Sequence, residues 1–284
     1  MLTALIKRHL LIYLRDRWAI FFSFLSVFII LGLFVLFLRN TFDLSEPDVD
    51  YMVYAWILSG VLMVSTVTVP LGFLGIMVVD LETKRLNDFY VAPIPRKTIV
   101  FSYLIAAIII GTLFSLVNFA FGQVFLLIRV NQMIPLIDML FVIGMIILST
   151  ALFSSLFFYS VSYLKTSNSH GTLSTLVGTL IGFLAGLYVP IGVLNTTTRT
   201  VLSLLPTLHS ISAFRLIYMR DALDTVFLNA PAETRIHQEF ILGITLRISD
   251  TNLSLPFVLL LVLLWTGLFS ALSIRRIAKF KRVS

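Results

Sequence analysis

Two adjoining stretches decide how this chain folds: Tyr51–Val79, YMVYAWILSGVLMVSTVTVPLGFLGIMVV, and Asp80–Lys97, DLETKRLNDFYVAPIPRK. The first carries no Asp, Glu, Lys, Arg or His and is longer than the roughly 20 apolar residues that cross about 30 Å of hydrocarbon. The second is dense in charge and then breaks on two prolines. An uncharged run of that length delivered into a basic segment reads as a membrane span reaching a cytoplasmic surface.

The same alternation recurs along the chain. Uncharged runs predict spans at 18–38, 51–79, 99–128, 139–164, 172–194 and 255–274, with an outer region at 195–254. The expected fold is therefore an all-α integral membrane protein, a single transmembrane domain over 1–284. Composition agrees: of 284 residues 58% are hydrophobic and only 12% charged, with mean hydropathy +1.01. A soluble domain carries about 25% charged residues, so this surface is matched to lipid. Cysteine is absent, which excludes disulfides and thiolate chemistry. Lys7, Arg8, Arg15 and Arg17 lead into an apolar run too long for a signal-peptide core, so that segment is expected to stay in the membrane.

Basic residues fix the predicted orientation. Most of the 21 Lys and Arg residues fall at the N-terminus, around Lys84–Lys97 and after Arg275, whereas the first outer loop carries Asp43, Glu46, Asp48 and Asp50. Both termini are thus expected inside. These basic patches read as topology signals that also touch anionic membrane lipid. No soluble segment is large enough for a basic nucleic-acid-binding domain, so no nucleic-acid partner is expected.

No ionisable residue lies deep in any predicted span. Ion-coupled transporters usually bury such groups near the midplane, so that class loses weight, although hydroxyl and carbonyl ion sites keep it alive. His9, His170, His209 and His237 are isolated and read as interfacial or loop residues, and no phosphate-binding G-x-x-x-x-G-K-[ST] loop occurs. No catalytic residue, metal site or bound cofactor is expected in this chain.

Four features carry further information. In the loop after the second span, Leu81, Arg85, Leu86 and Phe89 share one helical face among Glu82 and Lys84, before Pro93 and Pro95 stop the helix and Arg96 opens the next span. This reads either as a docking helix for a soluble partner or as an ordinary basic loop. Near the end of the fifth span Pro190 breaks the run, and Val201 through Tyr218 keep apolar residues at three- and four-residue steps across Pro206, as in an interfacial helix. Gly178, Gly182 and Gly186 form a doubled G-x-x-x-G, read as a close helix-packing face within the monomer or at a dimer seam. Leu2–Arg17 reads as an N-terminal interfacial helix. Ser65, Thr66, Asn118, Gln123, Ser149 and Thr150 either line a path or, as the weightier reading, bond neighbouring helices.

The segment E-T-K-R-L-N-D-F-Y-V-A-P-I-P-R-K, Glu82 to Lys97, resembles the cytoplasmic loop of type-2 ABC exporter permeases, as does the broken fifth span with its L-P-T segment at Leu205–Thr207. The family's loop usually contains a glycine where this chain has Lys84-Arg85-Leu86. The resemblance implies an ATPase-coupling loop at Glu82, Lys84, Arg85, Leu86, Phe89, Pro93, Pro95 and Arg96, and re-entrant outer helices with an outer gate around Pro190 and Pro206. It implies an N-terminal helix touching the ATPase and a dimer seam involving spans one and five. ATP and Mg²⁺ would bind an ABC nucleotide-binding subunit, with a second copy or a similar permease completing the path in a bacterial plasma membrane. The expected cargo is hydrophobic or amphiphilic: a drug, an antimicrobial peptide or a lipid-like toxin, the alternatives being a lipid-linked glycan or an ion-coupled secondary transporter.

Overall fold

A computed structural model describes residues 1–33, 47–86, 89, 94–248 and 251–278. The helices run α1 (Leu2–Arg15), α2 (Arg17–Leu33), α3 (Pro47–Glu82), α4 (Arg96–Val130), α5 (Leu136–Val161) and α6 (Ser167–Leu184). A 3-10 turn at Ile191–Val193 follows, then α7 (Thr196–Ser203), α8 (Pro206–Tyr218), α9 (Arg220–Val226) and α10 (Ala232–Ile241). A two-residue antiparallel ladder pairs Arg247 with Asn252 and Ile248 with Thr251, and α11 (Leu255–Ala278) closes the chain.

Four helical segments among the described residues are long and apolar enough to cross a membrane: Val49–Glu82, Lys97–Val130, Leu136–Val161 and Leu255–Arg276. They answer the second, third, fourth and sixth predicted spans. The first is described as helix to Leu33, and its predicted end lies outside the described residues. The fifth departs from expectation, because α6 stops at Leu184, ten residues short of the predicted boundary.

The cause of that stop is local. Gly186 adopts φ +59°, the Leu187 amide donates to Gly182 O at 2.8 Å, and the Gly186 amide donates to Phe183 O at 3.0 Å. This pattern ends a helix on a left-handed glycine. Gly186 therefore lies beyond the helix, not on a third turn of a glycine face, and Pro190 begins the following 3-10 turn without itself breaking α6.

Helix α3 is the centre of the bundle, buried along most of its length against α4, α5, α6 and α8. Its polar residues settle the two readings of the span hydroxyls at several positions. Ser65 pairs with Ser115 at 3.2 Å and accepts from Asn118 Nδ2 at 2.9 Å, Thr66 pairs with Ser149 at 3.0 Å, and Thr112 pairs with Thr150 at 2.9 Å. These groups join α3, α4 and α5 in the buried interior, as small polar residues do where lipid offers no partner.

The predicted interfacial helix from Val201 to Tyr218 is two helices meeting at 93°. Pro206 occupies the first turn of α8, and Leu205 before it is extended at φ −99°, ψ 138°. Helix α8 is buried over nearly its whole length against α3, α5 and α11, so it enters the bundle instead of lying on its surface.

Candidate functional site

The charged end of α3 is held by a partner seventy-two residues before it, Arg8, and by Tyr103, twenty-three residues after. Asp80, 1% exposed at the end of α3, accepts from Arg8 through both oxygens, Nη1 to Oδ2 at 2.7 Å and Nη2 to Oδ1 at 3.1 Å. Tyr103 on α4 donates its hydroxyl to Oδ2 at 2.6 Å, and Arg85 stands 3.9 Å from Oδ1. A two-pronged guanidinium–carboxylate pair fixes direction as well as distance. The end of α3, the start of α4 and helix α1 thus meet at one carboxylate.

His9 completes the junction. It is fully buried, stacked on Tyr103 with ring centroids 3.8 Å apart, and its Nε2 lies 2.9 Å from Ser102 Oγ. Ser102 already gives its proton to Ile99 O, and Arg8 Nη1 lies 3.1 Å from His9 Nδ1. Both contacts are satisfied by the neutral imidazole carrying its proton on Nε2. Burial, reinforced by the Arg8 charge, lowers the His9 pKa from 6.5 to about 4.

The predicted loop residues take distinct places around this knot. Leu86 is buried, the Phe89 ring lies 5.0 Å beneath the Arg8 guanidinium, and Arg85 and Lys84 are exposed. The helix does not run unbroken through them: Thr83 and Lys84 form a turn, with Lys84 at φ +60°, before Arg85 and Leu86 resume helical geometry. Lys84 occupies a left-handed position that favours glycine. Pro95 caps the start of α4, and Arg96 opens it. Pro93 lies outside the described residues.

Glu82 turns away from the knot toward another segment. It accepts from the backbone amide of Ser167 at 2.9 Å and from the Ser167 hydroxyl, at the first turn of α6. A carboxylate on the free amides of a helix start is favourably placed for the helix dipole. Further along α6, His170 Nε2 donates to Leu71 O at 2.9 Å, packed against Gly75. Arg276 at the end of α11 reaches Ser162 Oγ at 3.3 Å and lies over the Tyr163 ring at 4.0 Å. One end of the bundle is therefore laced through Asp80, Glu82 and Ser162.

The glycine series separates into three environments. A Cβ on Gly178 would meet nothing, on Gly182 it would strike the Tyr188 ring of the same chain, and Gly186 sits in the turn. Only Gly178 presents an open face.

About 36 Å of helix, at about 1.5 Å per residue, separates Asp80 from Trp56 near the other end of α3. There Arg215 of α8 is 0% exposed and donates to Leu242 O and Gly186 O at 2.9 Å each, with Gly243 O at 3.4 Å. Trp56 covers it at 4.6 Å and donates its own indole N–H to Leu242 O at 2.8 Å. Gly243, φ +64°, ends α10 by the same turn that Gly186 makes after α6, with the Ile244 amide on Glu239 O at 2.9 Å. Arg215 thus clamps two helix-ending turns together. Pro206 positions α8 to deliver it, and Pro190 follows the Gly186 turn and opens the 3-10 turn after it. Nearby, Arg220 pairs with buried Asp138 at 2.7 Å and Tyr51 donates to Asp221 at 3.1 Å.

Sequence reasoning singled out the loop but not Arg8, His9 or Tyr103 as its partners, and it gave Arg215 no role. One signal was available: a carboxylate at the inner edge of a span needs a cation or several donors. A search of curated proteins finds no match to this chain. The family model described as "ABC-2 type transporter" matches residues 1–219, most of the chain and all of the elements from α1 through α8. This chain belongs to the ABC-2 type transporter family, as the membrane domain of an ABC-type transporter and a multi-pass membrane protein.

Proposed function

We propose that the chain is the permease subunit of an ATP-driven exporter, with six spans and both termini on the cytoplasmic side of a bacterial plasma membrane. Residues 1–284 form one transmembrane domain, and the region 195–254, entered after Pro190 and bent at Pro206, gates the outer exit. ATP and Mg²⁺ bind a separate ABC nucleotide-binding subunit, and a second copy or a similar permease completes the pathway. The cargo is hydrophobic or amphiphilic: a drug, an antimicrobial peptide or a lipid-like toxin, with a lipid-linked glycan as the alternative.

The observation that carries this reading is the convergence of α1 and α6 on the end of α3, at Asp80 and Glu82. Arg8 binds α1 to Asp80, His9 binds α1 to Ser102 at the start of α4, and the Glu82–Ser167 contacts bind α6 to the end of α3. Asp16 then passes α1 into α2, accepting the amides of Trp18 at 3.1 Å and Ala19 at 3.0 Å. A push on the loop by a closing ATPase therefore moves α2, α3 and α6 together. Helices α2 and α6 flank a cleft of about 590 Å³ whose walls include Tyr13, Phe22, Thr68, Gly178 and Tyr188. Trp18, Phe22, Leu180 and Phe183 stand exposed on the same two helices, a surface that a second permease would cover. We assign the cleft as half of the cargo path and Gly178 as the close-approach point of the seam.

Purification from its native membrane and reconstitution test this reading. An ABC nucleotide-binding protein is expected to co-purify, and ATP is expected to drive cargo across the vesicle. Transport that follows an ion gradient and ignores ATP returns the chain to the secondary-transporter class. Glu82→Lys and Arg85→Glu are expected to leave a folded protein whose ATP hydrolysis no longer drives export. Unchanged export in both variants removes the docking role from the loop.

A further inference from the structure

At the Arg215 end, a polar pocket adjoins an apolar groove, and the two share Ser203 and Leu246 in their walls. The pocket, about 360 Å³, lies between α7, α10 and the segment after Gly243; Thr196, Arg199, Thr200, Ser203 and Thr245 supply its polar groups. Thr245 is only 8% exposed, and its hydroxyl has no hydrogen-bond partner. Arg199 stacks 4.8 Å over Phe240 and donates to Thr196 at 3.3 Å, but its Nε has no partner, and among the described residues no carboxylate lies within ion-pair distance of it. Behind the wall, Arg215 Nη1 lies 3.1 Å from where a Cβ on Gly243 would stand; its two terminal nitrogens donate only to carbonyls, and its buried Nε has no partner. Glu239, the nearest acid on α10, is bound by Arg235 at 2.9 Å. Two guanidinium groups thus face or back this pocket without a countercharge, and buried unpaired donors are costly when left so.

The groove continues from Ser203 along α11, past Leu253, Phe257, Leu261, Trp265 and Leu268. From Phe257 to Leu268 it runs about 16 Å at about 1.5 Å per residue, roughly one leaflet of a hydrocarbon core about 30 Å thick. Val201 on α7 and Leu204 just after it stand exposed, as in a helix resting against acyl chains.

We propose that this pocket and groove bind one anionic phospholipid, its phosphate against Arg199 and Thr245 and an acyl chain along α11. The positive, under-satisfied end selects the headgroup, the leaflet-long apolar face selects the tail, and the wall they share at Ser203 and Leu246 places both within reach of one molecule. The assignment does not depend on export, because binding is measured without any ATPase.

The test uses the purified full chain in detergent, with dioleoyl phosphatidylglycerol, dioleoylglycerol and inorganic phosphate as probes, read by native mass spectrometry and by thermal shift. Phosphatidylglycerol is expected to be retained and to raise the melting temperature, and dioleoylglycerol to bind at least about tenfold more weakly. R199Q is expected to weaken the phospholipid about tenfold and T245V about threefold, without lowering the lipid-free melting temperature. S203W, which plugs the junction, is expected to abolish phospholipid retention. Equal retention by wild type, R199Q and S203W overturns the proposal. A stabilisation by inorganic phosphate equal to that by the lipid, and intact in S203W, overturns it in favour of a free-phosphate pocket.

Discussion

Arg8 at one end of the bundle meets a carboxylate, whereas Arg215 at the other donates only to backbone carbonyls beneath the Trp56 ring. Both are fixed by two or more hydrogen bonds, yet they join different things. Arg8 fastens a side chain on α3 to a separate helix, a link whose strength depends on two side chains and on local water. Arg215 fastens two backbone turns, and its charge is left uncancelled. The first arrangement suits a surface that transmits a push between helices. The second suits a structural closure that keeps a positive field beside a pocket.

That contrast predicts unequal costs. Arg215→Leu leaves Gly186 O and Leu242 O without this donor and opens space beneath Trp56. A loss of about 3–5 kcal/mol is expected, from unpaired buried acceptors plus a cavity. Arg215→Lys, with fewer donors and no planar fork, recovers only part of it. Denaturant unfolding in detergent measures both, and an unchanged midpoint for Arg215→Leu breaks the comparison outright.

At the opposite end the expected effect is smaller and shared. Arg8→Gln and Asp80→Asn each lose a charge-assisted pair, and a double-mutant cycle is expected to return a coupling of about 2–3 kcal/mol. A coupling near zero means that Tyr103 alone satisfies Asp80, which removes α1 from the transmission path.

Protonation of His9 sharpens the same end. Its pKa is about 4 in the folded chain against 6.5 ordinarily, so the unfolded state binds the proton more readily. The stability this confers is complete above about pH 6.5 and is lost as pH falls toward 4, about 2 kcal/mol by pH 5. Melting curves of wild type and His9→Gln between those limits check it. The variant is expected to lose this component of the pH dependence, and parallel curves refute the assignment.

How much of this was readable in advance follows the range of each interaction. The spans through α3, α4, α5 and α11 were legible because an uncharged run of adequate length is a one-dimensional signal. The loop at Glu82–Phe89 was legible from charge and prolines. The Arg8–Asp80 pair was not, because seventy-two positions separate partners whose pairing exists only once α1 lies across α4. The end of α6 was misplaced at Pro190 because proline is the more conspicuous breaker, while Gly186 looked like the third member of a packing series. Nothing in a G-x-x-x-G pattern tells a helix-face glycine from a helix-ending one, since both need a missing Cβ. The burial of α8 was hidden for a related reason: apolar residues at helical steps describe one wet face or, with small hydroxyls between them, none.

The smallest expected effect concerns where each end tolerates left-handed backbone. The two turns that Arg215 clamps use Gly186 and Gly243 for it, at φ +59° and +64°, and Asn131, φ +54°, caps the end of α4. The Asp80 end uses Lys84 at φ +60°, a conformation that costs a residue with a Cβ roughly 1–2 kcal/mol. Glycine relieves that cost but gains freedom in the unfolded chain, so Lys84→Gly is expected to stabilise by about 1 kcal/mol at most. Gly186→Ala is expected to destabilise by more than that, since its Cβ would also strike Ile191. Opposite signs in denaturant unfolding establish that the Lys84 turn retains strain which the two turns clamped by Arg215 lack. If Lys84→Gly also weakens the coupling of ATP hydrolysis to export, the strained lysine is kept for its contact with the partner, and the comparison becomes one between a surface that works and a surface that closes. If it stabilises and changes nothing else, Lys84 is only a substitution for glycine, and the difference between the two ends rests on Arg8 and Arg215 alone.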